Sequence, residues 1–563
     1  MSAIDILMTR LRALNVKIKL ENDQLSVRAP KGVLTQDLAN ELKANKEAVI
    51  QFLRQAEAQV ERQSAREIER INRNEALPLS FGQQRLWFLD RLEGPSSTYN
   101  MPLAIRLHGN LNIEAAQYAI NAIVDRHEAL RANFQLHGQA PYVTIRSDST
   151  CPILIVHSDQ SQSIEVQISE QVKLASNYCF DLANELLIRV NLVKLSDQSS
   201  LLIVTMHHIV SDGWSLGLFI KEFTQLYQDK IDGIHTSLSP LNIQYVDYAQ
   251  WQRHTLQGES LNRLLNFWTK NLLEAPERID LPTDKPRPAI MSYRGQSKQF
   301  ELPSKLMTAL GELSHRNGST LFMTLLSGFS LLMRRMSGQQ DLMIATTVAN
   351  RRHADIESLI GLFINTLALR IQVNDSISVE KFLGEIKNIC LHAFEHQDLP
   401  FEQLVEAINP PRSLSYAPLV QVSFDVQNTP SSQLVMGDLR LESINIPVTS
   451  SKFDLSLSIE VEADKDIAVW TWNPDLFSED TIQRLMGHFT VLLGSIAEDQ
   501  TKSITDLPLD NQDILSSVSS AYANNAPKPF IQTLRVRMAF FVLVCFHKRA
   551  CDAALNEKSL PLA

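Results

Sequence analysis

The sequence predicts an α/β fold built from two lobes. Between residues 79 and 500, strand-like runs such as PILIVHS, LLIVTM and LMIATTV alternate with amphipathic stretches such as LNRLLNFWTKNLLE, a pattern typical of α/β proteins. A segment rich in proline and turn-forming residues, 281–296, lies near the middle of this block. The chain has 563 residues, too many for one compact core. We therefore expect one lobe at 79–285 and a second at 286–505.

The first 57 residues are predicted to form a small module. Helical spacing of apolar residues predicts a short helix over 4–14. Apolar and polar residues then alternate on both sides of Asn22-Asp23, which predicts a β-hairpin with one apolar face. Helical spacing returns over 34–55, with Thr35 as the N-cap. The pattern alone leaves open whether this is an independent module or an extension of the larger domain.

A polar, charged segment, 58–78, is predicted to be the linker between this module and the first lobe. The chain after residue 505 loses the α/β pattern. From residue 526 onward it carries six Lys or Arg residues against two acidic ones. We interpret 506–563 as a truncated or aberrant C-terminal tail.

Composition excludes several classes of protein. The net charge of -10 argues against nucleic-acid binding, because no strongly basic domain is present to neutralise phosphates. The start lacks the features of a signal peptide, and the apolar run at 538–546 is too short to span a membrane. Five scattered cysteines without CxxC spacing indicate a reducing compartment and no structural zinc site. We expect a cytoplasmic protein that binds neither nucleic acid nor membrane.

The stretch TMHHIVSDGWS, 205–215, is the strongest candidate site. It joins a buried strand to an amphipathic helix, so its polar residues lie on a loop held by a rigid scaffold. A histidine suits proton transfer near neutral pH, and without a neighbouring Ser or Cys nucleophile it would act on a substrate amine or hydroxyl. Two adjacent histidines lack a third ligand, so no metal site is predicted. The residues alone leave a purely structural role open.

Seven motifs in order resemble those of condensation domains from nonribosomal peptide synthetases. They are LSFGQQRLWFLDRL from residue 79, RHEALRANF from 126, HHIVSDG from 207, YVDYAQW from 245, IGLFINTLALR from 360, HQDLPFEQL from 396 and PRSLSYAPL from 411. The resemblance covers 79–505. It implies a two-lobed fold of the chloramphenicol acetyltransferase type, with a central tunnel and the histidine loop at the lobe junction.

This family joins two substrates held as thioesters on carrier proteins. The α-amine of an aminoacyl acceptor attacks the thioester carbonyl of a peptidyl or aminoacyl donor. The resemblance assigns His208 to position the amine or accept its proton, with orientation the larger part, and His207 to support the loop. It gives Asp212 an architectural salt bridge, for which Arg370 is the expected partner and Arg131 the second choice. Gly213 is expected to allow substrate or backbone to approach closely.

Two further residues in the matching motifs, Asn365 and Trp214, are candidate substrate-supporting residues, with packing or loop-fixing roles as the alternative. Arg85 is expected to be structural. The motifs around Arg85 and His208 look like the branch of the family that accepts donors ending in an L-configured residue.

The module at 1–57 resembles the N-terminal docking domains of the tubulysin-synthetase type. Such domains bind the C-terminal peptide of the preceding synthetase in the assembly line, and Lys17, Lys19, Arg28 and Lys31 could attract an acidic peptide. The other implied partners are donor and acceptor carrier proteins, whose phosphopantetheine arms carry the substrates. No cofactor is expected on this chain itself.

Two other functions remain open from the sequence. No adenylation motif or carrier-domain serine follows the second lobe, so the chain could be a truncated remnant that docks or binds without catalysis. It could also be a free-standing acyltransferase of the same superfamily that uses a soluble acceptor. The docking module disfavours the latter, and the intact His208 and Asp212 disfavour the former.

Overall fold

A computed structural model describes residues 17–21, 24–28 and 67–508, apart from 139, 158–160, 236, 412, 428–434, 445, 447 and 462–464. Near the N-terminus, strands β1 (Lys17–Glu21) and β2 (Gln24–Arg28) pair antiparallel, so the predicted hairpin is confirmed. The predicted helices of this module, Lys31 and the C-terminal tail from 509 lie outside the described residues.

The first lobe follows the linker and mixes helices with strands. Its strands are β3 (Asn100–His108), β4 (Ala132–His137), β5 (Ala140–Ile145), β6 (Ile153–His157), β7 (Ile188–Ser196) and β8 (Ser199–His207). Its helices are α1 (Phe81–Glu93), α2 (Ile113–Arg126), α3 (Ile164–Ser176), α4 (Gly213–Ile231) and α5 (Tyr245–Thr255). Short 3₁₀ turns occur at Glu128–Arg131 and His208–Val210.

The second half of the chain contributes the remaining elements. Its helices are α6 (Gly258–Asn271), α7 (Ser304–Arg316), α8 (Leu321–Ser337), α9 (Ala354–Glu357), α10 (Val379–Glu395), α11 (Phe401–Ile408) and α12 (Glu479–Glu498). Its strands are β9 (Gln296–Leu302), β10 (Asp341–Val348), β11 (Asn365–Gln372), β12 (Val422–Gln427), β13 (Val435–Met436), β14 (Leu439–Ser443), β15 (Leu455–Val461) and β16 (Asp466–Trp472). A final 3₁₀ turn covers Ile504–Asp506.

Two six-stranded mixed sheets organise the lobes, and the predicted α/β, two-lobed fold is confirmed. The first sheet has the order β13-β14-β3-β8-β7-β6 and the second β11-β10-β12-β15-β16-β9. Strand β8, rich in Leu, Ile and Val, is buried along its whole length because strands flank it on both edges and apolar side chains cover both faces. Its rigidity matters because it ends at His207.

The second core is built around α8, which is apolar on almost every side. Residues Met323 to Met333 are all buried, as expected for a helix without a polar face. Thr320 caps its N-terminus, and Gly338 ends it with a left-handed φ of 72°.

The chain exchanges segments between the lobes, so the cores do not divide at residue 285. Apolar side chains from Leu256 to Ile279 already pack in the second core. In return, residues 356–363 pack in the first core, and β14 pairs with β3 at the edge of the first sheet. No helix in the described part of the chain is long and apolar enough to cross a bilayer.

Candidate active site

The histidine loop is fixed at both ends by backbone contacts. The backbone N–H of His207 donates to the carbonyl of Leu187 at 3.0 Å, and that of His208 donates to the carbonyl of Tyr99 at 2.8 Å. Asp212 then caps the N-terminus of α4. The loop thus joins a buried strand to a long helix with little freedom at either end.

The ring of His208 has a defined tautomer. Its Nδ1 lies 2.7 Å from the carbonyl oxygen of Ser211, and because a carbonyl only accepts, Nδ1 carries the proton. Nε2 is therefore left with a lone pair, on a ring that is only half-buried. Burial, followed by the charge of Lys452 and a smaller contribution from Arg85, lowers the pKa of His208 to about 3. The imidazole is neutral at pH 7.

The neighbouring ring of His207 has the opposite tautomer and a different task. Its Nδ1 accepts from the backbone N–H of Ile209 at 3.2 Å, so the proton lies on Nε2. The ring is buried beside the rings of Phe180 and Tyr99, with centroids 6.1 and 6.4 Å away. Burial and the neighbouring His208 lower its pKa to about 3. In this arrangement His207 supports the 3₁₀ turn.

The carboxylate of Asp212 is enclosed and fully engaged. Oδ1 accepts from the backbone N–H and the hydroxyl of Ser215 at 2.8 and 2.7 Å. Oδ2 accepts from the backbone N–H of Phe363 at 3.0 Å, and the guanidinium of Arg351 lies 3.1 Å from Oδ1. The side chains of Asp212 and Arg351 are each 2% exposed. This is an architectural ion pair, closed to substrate.

Arg351 extends that network into the segment that returns from the second half of the chain. Its Nη1 donates to the carbonyls of Ile356 and Leu359 at 2.6 and 2.7 Å, and its guanidinium lies 4.1 Å from the ring centroid of Phe363. The hydroxyl of Ser215 adds a contact of 3.0 Å to the carbonyl of Gly361. The aspartate end of the loop is therefore tied to residues 356–363.

The predicted partners of Asp212 are wrong. Arg370 lies on β11 and pairs with Asp341 at 2.6 Å. Arg131 donates to three backbone carbonyls, those of Val124, Asp125 and Arg146. The true partner is Arg351, which none of the seven motifs contains.

Gly213 and Trp214 begin helix α4 at the protein surface. A Cβ added at Gly213 would meet no atom of the described chain within 4 Å, so no neighbouring backbone requires a glycine there. Access for a substrate at this position stays a prediction. Trp214 is 51% exposed, and its indole Nε1 donates to the carbonyl of Glu357 at 3.0 Å.

Asn365 fixes a turn of the backbone. Its Nδ2 donates to the carbonyls of Gln397 and Leu399, both at 2.8 Å, and its Oδ1 accepts from the backbone N–H of Phe401 at 3.1 Å. Every polar atom of the amide is engaged by backbone, so Asn365 fixes this loop, and its support of a substrate stays a prediction.

Two cations near His208 were not anticipated as site residues. Arg85, on α1, forms an ion pair with Glu402 of α11 at 3.2 Å, and its side chain is 45% exposed. Lys452, in the loop before β15, has its Nζ 5.2 Å from the ring centroid of Tyr99. Arg85 lies in a recognised motif, whereas Lys452 had no sequence signal.

Comparison with known proteins agrees with this geometry. Residues 73–514 match the family described as Condensation domain, and 4–55 match the TubC N-terminal docking domain. The chain belongs to the condensation-domain family. Malpinin synthetase of Mortierella alpina is 40% identical over 454 residues, which cover 80% of this chain and 6% of that protein.

Phosphinothricin tripeptide synthetase PhsC of Streptomyces viridochromogenes is 36% identical over 458 residues, covering 80% of this condensation-domain chain and 42% of that synthetase. The chain therefore spans less than half the length of either relative. Among solved structures, the complex of the X-domain and OxyB from teicoplanin biosynthesis matches with a TM-score of 0.70 at 26% identity, covering 79% of this chain and 98% of the other.

Proposed function

We propose that this chain forms a peptide bond between a donor peptidyl or aminoacyl thioester and an acceptor aminoacyl thioester, both held on carrier proteins. The observation that carries the proposal is the neutral, half-buried His208, whose Nε2 has a free lone pair. We infer the substrate class from the family, and we infer that the chain works beside other synthetase domains because its relatives are larger synthetases.

The electrostatics favour orientation of the amine over full proton abstraction. Nε2 of His208 can accept a hydrogen bond from an N–H of the acceptor amine and so aim the nitrogen lone pair at the donor carbonyl. A ring whose pKa is lowered to about 3 is a weak base, because its imidazolium is poorly stabilised. The histidine therefore acts chiefly as a positioning acceptor.

The phosphopantetheine arms belong to the substrates and not to this chain. We assign the donor side to residues of L configuration, on the motifs around Arg85 and His208. The partners that deliver both substrates are the donor and acceptor carrier proteins.

The N-terminal module is assigned the binding of the C-terminal peptide of an upstream synthetase. Support comes from the docking-domain match over 4–55 and from the β1–β2 hairpin, whose register places Lys17 opposite Arg28 and Lys19 opposite Ser26. An extended acidic peptide fits a short basic hairpin by strand addition. Titration of the full chain with an acidic peptide, before and after charge reversal at Lys17 and Lys19, checks this assignment.

The catalytic proposal is tested with purified carrier proteins loaded with a panel of L-aminoacyl thioesters. The unsubstituted chain should give a carrier-bound dipeptide with at least one pair, detected by mass spectrometry. His208→Ala should lower the rate about 10²-fold to 10⁴-fold. His137→Ala, at an exposed position in the β4–β5 hairpin, is the matched control and should leave the rate unchanged.

Three outcomes would contradict the proposal or the role assigned to His208. A rate that His208→Ala leaves unchanged would contradict the assigned role. Carrier binding without product from any loaded pair would favour a non-catalytic binding module, a possibility supported by the similarity to an X-domain whose structure was solved in complex with OxyB. Product from a soluble amine without an acceptor carrier would favour a free-standing acyltransferase.

A further inference from the structure

Lys452 brings a cation from the second half of the chain to the histidine loop. Its ammonium lies against the ring of Tyr99, whose backbone carbonyl holds the N–H of His208 at 2.8 Å. The charge of Lys452 acts on both His207 and His208, lowering the pKa of each. Lys452 is therefore close to the reacting end of the loop although the two are distant in sequence.

The loop that carries Lys452 is firmly anchored. Before it, the backbone N–H of Gly295 donates to the carbonyl of Thr449 at 2.9 Å, and that of Ser451 donates to the carbonyl of Tyr293 at 2.9 Å. A Cβ at Gly295 would overlap the backbone of Ser450, so only glycine permits this approach. The position of the lysine is thus set by backbone contacts.

Asp454, two residues after Lys452, provides a second anchor. Its carboxylate accepts from both terminal nitrogens of Arg287, at 3.0 and 2.5 Å, and the residue is 2% exposed. A bidentate pair of this kind fixes direction as well as distance. Lys452 is held between two anchored points.

Lys452 differs from the other cations near the site in having no carboxylate partner among the described residues. Arg85 is paired with Glu402, and Arg351 is enclosed with Asp212. The side chain of Lys452 is exposed, yet burial of its ammonium and the nearby Arg85 lower its pKa to about 8. Lys452 therefore holds an uncommitted charge beside the half-buried His208.

We propose that the Lys452 ammonium binds the carbonyl oxygen of the donor thioester and stabilises the negative charge that develops on it. The inference rests on the proposed peptide-bond formation and adds a second catalytic residue to it. A preorganised donor aimed at a developing oxyanion stabilises the transition state more than the ground state. Of the described cations near His208, Lys452 is the one whose charge is not already committed to a carboxylate.

Bond formation and bond cleavage proceed in two stages. The acceptor nitrogen forms a bond to the thioester carbon, and the C=O π pair moves to the oxygen that Lys452 holds. When the oxygen lone pair re-forms the C=O bond, the C–S bond breaks. The proton lost by the amine passes to the departing thiolate, which leaves as the thiol of the donor carrier's arm. No oxidant or external co-reactant is needed.

The test compares Lys452→Met with Lys452→Arg, using the loaded donor and acceptor pair that reacts fastest with the unsubstituted chain. Loss of one oxyanion donor lowers kcat about 10²-fold to 10³-fold, so Lys452→Met should lose that much at pH 7 with little change in KM. Lys452→Arg keeps the charge and should retain kcat to within about tenfold of the unsubstituted chain, well above Lys452→Met.

The pH dependence of kcat distinguishes stabilisation of the oxyanion by Lys452 from an indirect effect of its charge on His208. The titratable groups that face Lys452 are Arg85 and Tyr99, and its charge acts on His207 and His208. In the unsubstituted chain kcat should fall as pH rises through about 8, where Lys452 loses its proton. In Lys452→Arg this alkaline fall should move to higher pH, because a guanidinium stays protonated.

If Lys452 served only to keep His208 neutral, Lys452→Met and Lys452→Arg would react equally fast at pH 9, where the histidine is neutral in any case, whereas the oxyanion role keeps Lys452→Arg well above Lys452→Met. Equal rates of the two variants at pH 9, or a kcat that Lys452→Met leaves unchanged at pH 7 while His208→Ala abolishes product, would overturn this inference and leave the proposed function standing. Absence of product from the unsubstituted chain would overturn both. The thermal midpoints of Lys452→Met and Lys452→Arg confirm that each variant is folded.

Discussion

The two ends of the histidine loop differ in how their polar groups are used. At the Asp212 end, the carboxylate accepts from Ser215, Phe363 and Arg351 and is 2% exposed. At the His208 end, one ring nitrogen is bonded and the other is left with a lone pair on a half-buried ring. A motif that is continuous in sequence thus has an architectural half and a chemical half.

The two halves also differ in the charges that surround them. Asp212 has a counter-charge in contact, so its ionised form is compensated in a buried place. The charges that act on His208 are those of two cations, Lys452 and Arg85, and these add to burial in holding it neutral. Loss of the first half should therefore cost stability, and loss of the second should cost rate.

The largest expected effect is at the architectural half. Asp212→Ala leaves the Arg351 guanidinium buried without its counter-charge, and breaking a buried pair in this way costs about 3–5 kcal/mol. The free energy of unfolding should fall by that amount, as measured by urea denaturation followed by circular dichroism.

A double-mutant cycle shows which arginine is the partner. Asp212→Ala and Arg351→Ala should be non-additive by about 0.5–3 kcal/mol, because the two side chains are in contact. The matched cycle of Asp212→Ala with Arg370→Ala should add to within about 0.5 kcal/mol, since Arg370 pairs with Asp341. Equal coupling in the two cycles would contradict the assignment.

A smaller effect is expected in the segment 356–363, which contacts Asp212 and Ser215. A Cβ at Gly361 would overlap the buried ring of Tyr245, so Gly361→Ala should destabilise the fold by about 1–3 kcal/mol through overpacking. Gly213→Ala is the control, because its Cβ would point into open space in the described chain. If both variants unfold at the same urea concentration, the close packing at Gly361 is refuted.

Taken per pH unit, the smallest effect is the pH dependence of stability at the chemical half. In the unfolded chain the histidines titrate near 6.5, whereas the folded pKa values of His207 and His208 are lowered to about 3. Between these values the unfolded state binds more protons, so the free energy of unfolding falls as pH is lowered, by up to about 1.4 kcal/mol per pH unit for each histidine.

His207→Gln should remove one histidine's share of that slope, and His137→Gln, at an exposed position, should not change it. Urea denaturation at several pH values between 4 and 7 measures the difference. A slope that His207→Gln leaves intact would show that the ring is already protonated in the folded state.

Much of this molecule follows from its sequence because the relevant signals are local. The alternation around Asn22-Asp23 predicted the hairpin, and the apolar run from Leu201 to Met206 predicted strand β8. The stretch was also predicted to join that strand to a helix, and Asp212 is the N-cap of this helix. These features depend on neighbours a few residues away.

The partner of Asp212 could not be predicted because it depends on a contact 139 residues away. Arg370 was the expected partner, and its motif also contains Gly361 and Phe363, which touch the network. However, β11 begins at Asn365, and five residues of strand carry Arg370 roughly 16 Å further along. Lys452 was missed for the same reason, since its proximity to His208 depends on how the second half of the chain folds back.

The exchange of β14 into the first sheet has a consequence for anyone who recombines condensation domains. The strand that bears the histidine loop is next to β3, and β3 is covered on its outer edge by β14, with His108 and Glu442 joined at 2.6 Å. A chimera spliced near residue 285 would therefore build one sheet from two parents. Crossover points that take β3 and β14 from the same parent preserve the pairing of these two strands. The splice site is therefore best chosen by which strands share a sheet, and not by the midpoint of the sequence.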